Sequence, residues 1–538
     1  MQKVLTAEEM REVDRLTTER YGIPSILLME NAAHAAARVI TEKLGGSVKG
    51  KSFLILCGKG NNGGDGAALA RILWTQGAFV WVHLFGKIDE TKGDARTNFE
   101  ILEKISWKAN SGSLNFFQED LDDFEDYYAS TNWDHHDVLI DALFGTGITQ
   151  KLEGFQELLA GTIHNWQENN VKPFIVSIDV PSGLNSNFSY SIGLNAKANL
   201  TITFTAPKPA NVLAPASNFG GELVVANIGS PQELIDALPS QLFLAEREDA
   251  QKWLEQTRFS SDSHKSARGR ALIVAGSKAM AGAAVLCANA AIRSGVGLVR
   301  VATAESARMA VSAHALPELM VAGLPETENG AVSELALNKV EELTEKMNVV
   351  AVGSGLSSDD ESTRKFVRSL VENRKTPIVI DADGLNSLAP FDLQGSDEFP
   401  IIITPHQGEF LKLICTEDKE AIKDRVQSAR DFAVKHTVIL VFKGERNLVA
   451  APDGRVVVVP TGNSGLGKAG SGDTLAGIIA GFVGQADAMK VDVFESIVAA
   501  VYIAGLAGDI AAEKFGKRTM LASDVRECLG EAFESITN

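Results

Sequence analysis

Short apolar runs rich in β-branched residues alternate with helical patterns along the whole chain, and this alternation constrains the fold more than any other feature. Parallel strands covered by helices produce this pattern. One set of runs precedes position 229 and a second set follows position 265, so each half of the chain predicts its own doubly wound α/β sheet. In the first half the expected strands are Ser52 to Cys57, Phe79 to Phe85, Val138 to Leu143, Phe174 to Asp179, Leu200 to Thr205 and Glu222 to Ile228. In the second half they are Ala271 to Ala275, Leu298 to Ala302, Val349 to Gly353, Ile378 to Asp381, Ile401 to Thr404, Val438 to Phe442 and Val456 to Val459.

A polar segment, Gly229 to Lys265, separates the two sets of runs and carries Pro231 and Pro239. A chain of 538 residues is too long for one ordinary core. We therefore predict two α/β domains, residues 1–230 and residues 240–538. Ligands of such sheets bind beyond the carboxyl ends of the strands, so two separate sites are expected.

Charge and cysteine content narrow the range of partners. The net charge of -18 disfavours nucleic acid and anionic membranes as partners. The start of the chain has a capping-box pattern, Thr6-Ala7-Glu8-Glu9, in place of the apolar core of a signal peptide. We expect a cytoplasmic protein, because its scattered cysteines form no C-x-x-C pair: Cys57, Cys287, Cys415 and Cys528.

A glycine-dense segment from Gly462 to Leu475 follows a strand-like run and leads into an apolar helical run. Glycines let the backbone approach a ligand closely, and the free N–H groups at a helix start attract phosphate oxygens. Asp473 would repel that phosphate, so we predict that it takes a proton from a hydroxyl about to be phosphorylated. A Walker A loop needs Ser or Thr where this chain has Ala469, and a glycine-rich connection without a ligand is the plain alternative.

A second glycine-rich segment, Gly58 to Gly66, follows the strand Ser52 to Cys57, and a helical run is expected from Ala67. It formally contains G-x-G-x-x-G. A dinucleotide-binding fold also needs an acid at the end of the next strand, and that strand ends in Leu-Phe-Gly-Lys. The glycine pattern alone is therefore a weak indication of dinucleotide binding.

Two further strand ends carry acids: Asp141 begins the segment DALFGTG, and Asp179 begins DVPSG. Asn62, Asp141 and Ser182 are all oxygen donors, a set suited to a hard cation that is also held by backbone carbonyls. The plain alternative is that these Asp and Ser side chains only cap helices and turns.

The ordered motifs GNNGGDG, DALFGTG and DVPSG, preceded by GIPSILLMENA at Gly22 to Ala32, resemble NAD(P)H-hydrate epimerase across residues 1–230. The resemblance implies a Rossmann-like three-layer α/β/α sandwich that interconverts the R and S forms of hydrated NADH and NADPH. It implies Asp179 as the acid/base residue and a potassium ion at Asn62, Asp141 and Ser182. The substrate-binding residues that it implies are Asn61, Asn62, Gly63, Gly64, Asp65, Gly145, Thr146, Gly147, Ile148, Thr149, Gln150, Lys151 and Asp179.

The second half carries its own ordered motifs. SHKSARG at Ser263 to Gly269, LPELM at Leu316 to Met320, TPHQGEF from Thr404 and GSGDTLAG from Gly470 resemble the ADP-dependent NAD(P)H-hydrate dehydratase. This resemblance spans residues 240–538 and implies a ribokinase-like α/β domain. Together the halves resemble bifunctional NAD(P)H-hydrate repair enzymes.

The second resemblance implies dehydration of the S-hydrate at the expense of ADP, with magnesium accompanying the ADP and with AMP, phosphate and NAD(P)H as products. Asp473 would activate the hydrate hydroxyl, and backbone amides of Ala469 to Asp473 would stabilise the transferring phosphoryl group. Ala469 stands where the family usually has glycine, which adds a methyl group at the phosphate loop. The implied S-hydrate contacts are Ala281, Gly355, His406 and Asp473. The implied ADP contacts are Lys443, Gly444, Glu445, Arg446, Asn447, Asn463, Ser464, Gly465, Leu466, Gly467, Lys468, Ala469, Gly470, Ser471 and Gly472.

Without the resemblance, the residues leave alternatives open. A lone histidine such as His406 is more typical of a packed or turn residue, and Lys443 at a strand end is compatible with a solvated charge. A small-molecule or vitamin kinase of the ribokinase class would use the same glycine loop, and a non-catalytic nucleotide-binding scaffold is the second rival. The residues themselves do not fix ADP over ATP. We expect a homo-oligomer that acts on small molecules, with neither nucleic acid nor membrane as partner.

Overall fold

The structure is a computed structural model and describes residues 1–108, 112–119, 135–168, 173–261 and 263–537. It contains two compact units: the N-terminal unit is Lys3–Ser240, and the C-terminal unit is Gln241–Asn538 together with Met1–Gln2. The division falls within the polar segment Gly229 to Lys265. Each unit holds its own sheet.

The N-terminal unit is built on a sheet in which seven described strands follow the order β4-β3-β2-β5-β6-β7-β8, and all neighbours in it are parallel. The order reverses between β2 and β5, and such a switch point opens a crevice at the carboxyl ends of the strands. In chain order the first strands are β1 (Gln2–Lys3), β2 (Ser52–Cys57), β3 (Phe79–Phe85), β4 (Leu114–Glu119), β5 (Val138–Ala142), β6 (Phe174–Ile178), β7 (Leu200–Phe204) and β8 (Glu222–Ala226).

Helices cover both faces of this sheet. Phe53 and Ile55 of β2 pack into one buried apolar cluster, while Leu54 and Leu56 pack into another on the opposite face. A strand buried on both faces needs a continuous apolar run, which is what β2 has. The described helices are Ala7–Tyr21, Ser25–Lys43, Asn61–Thr75, Gly93–Lys108, Phe155–Glu168, Pro209–Val212 and Gln232–Asp236.

The start of the first helix confirms the capping box. The Glu9 amide donates to Thr6 Oγ1 at 3.2 Å, and Glu9 Oε2 accepts from the Thr6 amide at 2.9 Å. This reciprocal pair satisfies two N–H groups that a helix start leaves open.

The GNNGGDG segment differs from its prediction, because the helix begins at Asn61 and not at Ala67. A Cβ on Gly63 would lie 1.8 Å from the carbonyl oxygen of Gly58, and a Cβ on Gly66 would lie 2.7 Å from Cβ of Ala142. These glycines therefore let the first turns of the helix pack closely on the ends of β2 and β5.

The C-terminal unit has a second sheet in which the order is β9-β18-β17-β16-β15-β14-β13-β10-β11-β12, with β1 beyond β9. β17 runs antiparallel to both β16 and β18, and the other registered pairs are parallel. A switch point lies between β10 and β13. The strands are β9 (Leu242–Leu244), β10 (Arg270–Val274), β11 (Leu298–Ala304), β12 (Met320–Leu324), β13 (Val349–Val352), β14 (Ile378–Ile380), β15 (Ile401–Ile403), β16 (Ile439–Phe442), β17 (Asn447–Ala450) and β18 (Val456–Val459).

Two helices of this unit approach each other unusually closely through small residues. A Cβ on Gly477 would lie 2.0 Å from the carbonyl oxygen of Cys287, and a Cβ on Gly481 would lie 1.8 Å from Ser294 Oγ. The helices Ala281–Arg293 and Ser471–Met489 thus pack almost backbone to backbone. The other described helices are Arg247–Gln256, Arg308–His314, Leu337–Thr344, Glu361–Glu372, Asp383–Ser387, Gln407–Leu413, Arg425–His436, Val493–Phe515, Ala522–Glu527 and Leu529–Thr537.

The helix Val493–Phe515 is long and apolar enough, by length and composition, to cross a membrane. Within the unit 67% of its most apolar window is buried. Its apolar character is that of a core helix in an α/β domain, since a helix that is hydrophobic all round is typical of a buried position.

Several strands escaped the sequence analysis. β4 and β12 each form an edge of a sheet, and both contain partly buried and exposed positions beside a few buried ones. Edge strands do not need continuous apolar runs, so their sequences stand out less from the flanking loops. β9 and β17 are only 3 and 4 residues long.

Candidate active sites

The switch point of the N-terminal sheet brings Asn62, Gly145 and Asp179 together. A Cβ on Gly145 would lie 3.3 Å from Asp179 Oδ2 and 3.4 Å from Cγ of Asn62. Asn62 is buried, and neither its amide nitrogen nor its amide oxygen has a partner among the described residues. An unpaired buried amide is costly, so this atom pair indicates a ligand position.

Asp141 ties the end of β5 to the turn after β6. Its Oδ1 accepts from Ser182 Oγ at 2.5 Å, and its Oδ2 accepts from the Ser182 amide and from Ser177 Oγ, both at 2.9 Å. Burial raises the pKa of Asp141 against the opposing effect of these hydrogen bonds. Asp141 and Ser182 therefore brace the turn after β6. This is the structural role expected of side chains that cap turns, and it is present with or without a bound ligand.

Asp179 has a left-handed backbone conformation with φ of 68°. Its Oδ1 accepts from Lys208 Nζ at 2.6 Å and from Thr203 Oγ1 at 2.9 Å. A non-glycine residue held in this backbone conformation destabilises the fold, and such residues are concentrated at functional sites. The sequence analysis did not identify Lys208 or Thr203, because nothing in the motif DVPSG points to residues of and after the next strand.

Two further carboxyl groups belong to the same electrostatic cluster. The pKa of Asp14 is raised to about 6, mainly by burial and also by the charge of Asp179, against the opposing charge of Lys208. Burial, followed by the charges of Asp179 and Asp14, raises the pKa of Asp65 well above its usual range. Asp14 lies in the helix Ala7–Tyr21 and was not predicted as a site residue.

Most of the predicted substrate segment after Thr146 is exposed. Ile148 is buried and packs with Leu152 and Ala160, whereas Thr149, Gln150 and Lys151 are exposed. A Cβ on Gly193 would lie 2.9 Å from Cβ of Lys151, so a later loop borders this segment. Asn61 is also exposed.

The switch point of the C-terminal sheet brings Ala281 and Gly355 together. The Gly276 amide donates to the Ser354 carbonyl at 2.8 Å, which joins the loops after β10 and β13. Gly355 has φ of 65°, and a Cβ there would lie 2.8 Å from Cβ of Ala283 and 2.9 Å from the carbonyl oxygen of Met280. Gly355 thus lies against the start of the helix Ala281–Arg293.

Lys443 is at the centre of a second charged cluster and is not a solvated surface charge. Its Nζ lies 2.7 Å from Asp381 Oδ1 and 3.8 Å from Glu409 Oε2, and Thr404 Oγ1 donates to the same Asp381 oxygen at 2.7 Å. A Cβ on Gly472 would lie 3.3 Å from Lys443 Nζ, so the ammonium borders the glycine loop. Burial lowers the pKa of Lys443, but the carboxylates around it outweigh burial and leave that pKa raised.

Asp473 lies in the first turn of the helix Ser471–Met489. Its pKa is raised to about 6, mainly by burial and also by the charges of Asp381 and Asp383, against a hydrogen bond from Ser354 and the charge of Lys443. The helix has Gly470 as its N-cap, with φ of 89° and no side-chain cap. The Ser471 amide donates to the Lys468 carbonyl at 3.3 Å, so the next amides of this helix start are the ones suited to an anion, beside the carboxyl group of Asp473.

His406 caps the helix Gln407–Leu413. Its Nδ1 accepts from the Gly408 amide at 3.0 Å and from the Glu409 amide at 3.3 Å, while its Nε2 lies 3.6 Å from Glu409 Oε1. The side chain is mostly exposed. The turn role expected of a lone histidine is therefore present, and it leaves the Nε2 edge of the ring available beside Glu409.

The segment Lys443 to Asn447 is braced from behind by Arg425. This guanidinium lies over the Phe442 ring at 4.7 Å and donates to the carbonyls of Phe442 and Arg446, both at 3.3 Å. Asn447 Oδ1 accepts from the Gly444 amide at 3.1 Å, and Arg446 donates to the Pro460 carbonyl. Arg425 was not predicted; no motif marks it.

The glycine loop itself is held by side chains that the sequence analysis assigned to ADP. Asn463 Nδ2 donates to Asp509 Oδ1 at 2.9 Å and to the Gly508 carbonyl at 3.0 Å, and its Oδ1 accepts from the Gly465 amide. Lys468 Nζ donates to the carbonyls of Arg518 and Met520 at 2.6 and 2.7 Å. The side chains of Asn463 and Lys468 thus shape the loop.

Comparison with known proteins covers both units. Two family models match: one described as NAD(P)H-hydrate dehydratase, over residues 271–530, and one described as YjeF-related protein N-terminus, over residues 25–210. The bifunctional NAD(P)H-hydrate repair enzyme Nnr of Moorella thermoacetica is 38% identical over 98% of this chain and 96% of that protein. The enzyme of the same name from Escherichia coli is 31% identical over 96% of this chain and 92% of its own length.

Among solved structures, the ADP/ATP-dependent NAD(P)H-hydrate dehydratase from Bacillus subtilis, co-crystallised with ATP and Mg²⁺, is 28% identical with a TM-score of 0.48. The match covers 55% of this chain and 98% of the Bacillus subtilis chain. The full-length similarity to two-domain relatives decides against a kinase of another small molecule and against a non-catalytic scaffold. This chain belongs to the family of bifunctional NAD(P)H-hydrate repair enzymes, with an epimerase domain at its N-terminus and an NAD(P)H-hydrate dehydratase domain at its C-terminus.

Proposed function

We propose that the epimerase domain, residues 1–230, binds the hydrated nicotinamide between Asn61 to Asp65 and Gly145 to Lys151, with Asp179 as the acid/base group. The observation that carries this proposal is the convergence at Gly145. Asp179 Oδ2 borders that residue, and so does the Asn62 amide, which has no partner in the part of the chain that the structure describes. A polar ligand placed there would satisfy both groups.

Epimerisation requires the C–O bond of the hydrate to break and to form again on the other face of the ring. The ring nitrogen donates its electron pair as the hydroxyl leaves, and the carboxyl group of Asp179 supplies the proton that makes it water. Water then attacks the resulting iminium carbon from the opposite face and returns a proton to the carboxylate. A single carboxyl group can act in both directions.

A potassium ion at Asn62, Asp141 and Ser182 is part of this proposal. The residues fit a cation, because the buried Asn62 amide oxygen lacks a partner and Asp141 is a fully buried carboxylate. A bound cation would supply positive charge to phosphate or amide oxygens of the substrate. Epimerase rates compared in potassium, sodium and lithium salts test this assignment; equal rates in all of them would contradict it.

In the dehydratase domain, residues 240–538, we propose that Asp473 takes the proton of the hydrate hydroxyl. The hydroxyl oxygen then attacks the terminal phosphoryl group of ADP, and the bond to AMP breaks. Phosphate leaves the ring carbon with electron donation from the ring nitrogen, and loss of a proton from the neighbouring carbon restores the dihydronicotinamide. The raised pKa of Asp473, about 6, supports this role, since a general base works best when its pKa lies near the working pH.

The ligand contacts of this domain are proposed as follows. Ala281, Gly355, His406 and Asp473 face the S-hydrate, and the loop Lys443 to Asn447 with the backbone of Asn463 to Gly472 binds ADP. Two observations support the division: Gly355 lies against the Ala281 helix start, and Lys443 borders Gly472. Magnesium accompanies ADP, where it would neutralise phosphate charge.

Separate assays of the two half-reactions test these assignments. Hydrated NADH with ADP is expected to regain the absorbance of the reduced nicotinamide, and chromatography of R- and S-hydrate without ADP follows the epimerase. Asp473→Ala should abolish dehydration while interconversion continues, and Asp179→Ala should do the reverse. If either substitution in a folded chain removed both activities, the assignment of one site to each domain would be wrong.

Localisation and assembly also remain proposals. We infer a cytoplasmic protein from the acidic composition and the unpaired cysteines, of which Cys57, Cys287 and Cys528 are buried and free. Self-association into a homo-oligomer is expected, and light scattering of the purified chain measures it.

A further inference from the structure

Lys208 is a buried lysine whose ammonium group is fully engaged. Its side chain is 2% exposed, and its Nζ donates to Asp179 Oδ1 at 2.6 Å, Thr203 Oγ1 at 2.8 Å and the Phe204 carbonyl at 3.1 Å. An ammonium has three donors, so these acceptors satisfy it completely and fix its position. Burial of a charge at this depth is tolerated only when it is paired and hydrogen-bonded.

The consequence for Asp179 is that its two carboxylate oxygens differ. Oδ1 accepts from both Lys208 and Thr203, whereas Oδ2 is the oxygen closest to the position that a Cβ on Gly145 would occupy. One oxygen is therefore held from behind. The other is presented to the proposed hydrate site.

The backbone of Asp179 is fixed by the same segment of chain. Asn211 Nδ2 donates to the Asp179 carbonyl at 3.2 Å, and Asn211 Oδ1 accepts from the Lys208 amide at 2.8 Å. The Asp179 amide also donates to the Ile202 carbonyl at 2.8 Å. The left-handed conformation of Asp179 is thus supported by Lys208 to Asn211 as well as by β7.

The charged groups around this pair come from other helices and are carboxyls. Asp14 belongs to the helix Ala7–Tyr21 and Asp65 to the helix Asn61–Thr75. Burial raises the pKa of both, so they compete weakly for the ammonium. Lys208 makes its ion pair with Asp179, and Asp14 Oδ1 has no partner among the described residues.

We propose that Lys208 is a positioning residue of the epimerase reaction, which clamps Oδ1 of Asp179 so that Oδ2 meets the hydrate in a fixed orientation. This inference rests on Asp179 being the acid/base group proposed above. The competing interpretation is a buried ion pair that only stabilises the fold. A positioning role and a stabilising role make different predictions for turnover.

The experiment compares Lys208→Met, Lys208→Arg and Thr203→Val in the full chain. Epimerase kcat and KM are measured from the approach of R- and S-hydrate to equilibrium, with the spontaneous rate subtracted. Far-UV circular dichroism and urea denaturation of the same sample report folding of the unit that contains Lys208, and dehydration of S-hydrate with ADP reports the integrity of the other unit. Lys208→Met is expected to lower epimerase kcat on the order of 10²-fold with KM changed less than about threefold, since misplacement by about 1 Å costs this much.

The graded variants test the geometry. Lys208→Arg retains a cation and is expected to recover part of kcat, and Thr203→Val, which removes the second donor to Oδ1, is expected to give a smaller loss. If Lys208→Met unfolds the chain, these two variants decide alone. Epimerase kcat within about threefold of the parent in all folded variants would overturn the positioning role, as would equal effects on kcat and KM.

Asp179→Asn separates the failure of this inference from the failure of the proposed function. An inactive Asp179→Asn beside a fully active Lys208→Met would overturn only the role of Lys208. A fully active Asp179→Asn would overturn the assignment of Asp179 itself, and the role of Lys208 with it.

Discussion

Both units contain a buried lysine–aspartate pair at the carboxyl ends of their strands, but the two pairs treat the proposed acid/base carboxyl differently. In the N-terminal unit Lys208 pairs directly with Asp179, at 2.6 Å, and is 2% exposed. In the C-terminal unit Lys443 pairs with Asp381, at 2.7 Å, and is 17% exposed. Among the described residues Asp473 has no ion pair of this kind, and burial is the main cause that raises its pKa to about 6.

The difference corresponds to the two chemistries. A carboxyl group that passes one proton out and back benefits from a fixed orientation, whereas a base that activates a hydroxyl for phosphoryl transfer benefits from a pKa near neutrality. Lys443, being partly exposed and adjacent to Gly472, has room to meet an anionic ligand. Lys208 does not.

The largest effect on activity is expected from substitution of Asp473, the proposed base of the dehydratase. Asp473→Asn keeps the shape of the side chain and removes the base, so dehydration with ADP should fall on the order of 10³-fold or more while epimerisation stays unchanged. Asp397→Asn, at an exposed position of the same unit, is the matched control and should be neutral. Substantial dehydration by Asp473→Asn would show that this unit does not depend on a free carboxyl.

Removal of Lys443, the paired lysine of the C-terminal unit, should weaken ADP binding and lower the free energy of unfolding. Lys443→Met leaves Asp381, 4% exposed, as a buried carboxylate without its partner, which typically costs about 3 kcal/mol or more. Urea denaturation measures this loss, and KM for ADP should rise about tenfold or more as a phosphate contact is lost. Adding Asp381→Asn should restore stability but not the affinity for ADP.

A stability loss that Asp381→Asn failed to reverse would contradict the pairing of Lys443 with Asp381. An unchanged KM for ADP would contradict the contact with the nucleotide.

The next largest effect is expected on the pH profile of dehydration, which depends on the ionisation of Asp473. Dehydratase kcat/KM is expected to fall about tenfold per pH unit below pH 6, because Asp473 must be ionised to act as a base and its pKa is about 6. Asp381 raises that pKa, so Asp381→Asn should move the midpoint of the profile to lower pH; Lys443 lowers it, so Lys443→Met should move the midpoint to higher pH. Shifts in the same direction for both variants would refute this electrostatic account.

The smallest effect is expected from substitution of Ala469, which stands where the family usually has glycine. Ala469 is exposed, so its methyl group has room beside the loop. Ala469→Gly should change KM for ADP less than about threefold, with a small loss of stability from added backbone freedom. A larger gain in affinity would mean that the methyl group does meet the phosphate.

The sequence predicts most of the central strands, because strands buried on both faces need continuous apolar runs such as Val456 to Val459. It also marks candidate sites through local motifs, since the residues to which we assign chemistry in GSGD and DVPSG lie within a few positions of each other. Edge strands such as β4, and the helical start at Asn61, were missed or misplaced. Their sequences follow packing needs that no local pattern expresses.

The partners of the site residues could not be predicted for a related reason. Lys208 meets Asp179 across 29 positions, Asp381 meets Lys443 across 62, and Asn463 meets Asp509 across 46. These pairs depend on the order of the strands in the sheet and, for Asp509 in the helix Val493–Phe515, on how that helix packs against the loop. The motif shows that Asp179 is present, whereas the sheet order determines which cation holds it.

The close packing of the helices Ala281–Arg293 and Ser471–Met489 has a consequence for how the two substrates of the dehydratase are coupled. Both helices begin at the proposed site, one at the hydrate end and one at the phosphate loop, and Gly477 leaves no room for even a methyl group between them. The spacing between the two helix starts is therefore fixed in the core of the unit. A bulkier residue at Gly477, about one helical turn beyond Asp473, would push these helix starts apart and so should slow dehydration from a position outside the proposed ligand contacts.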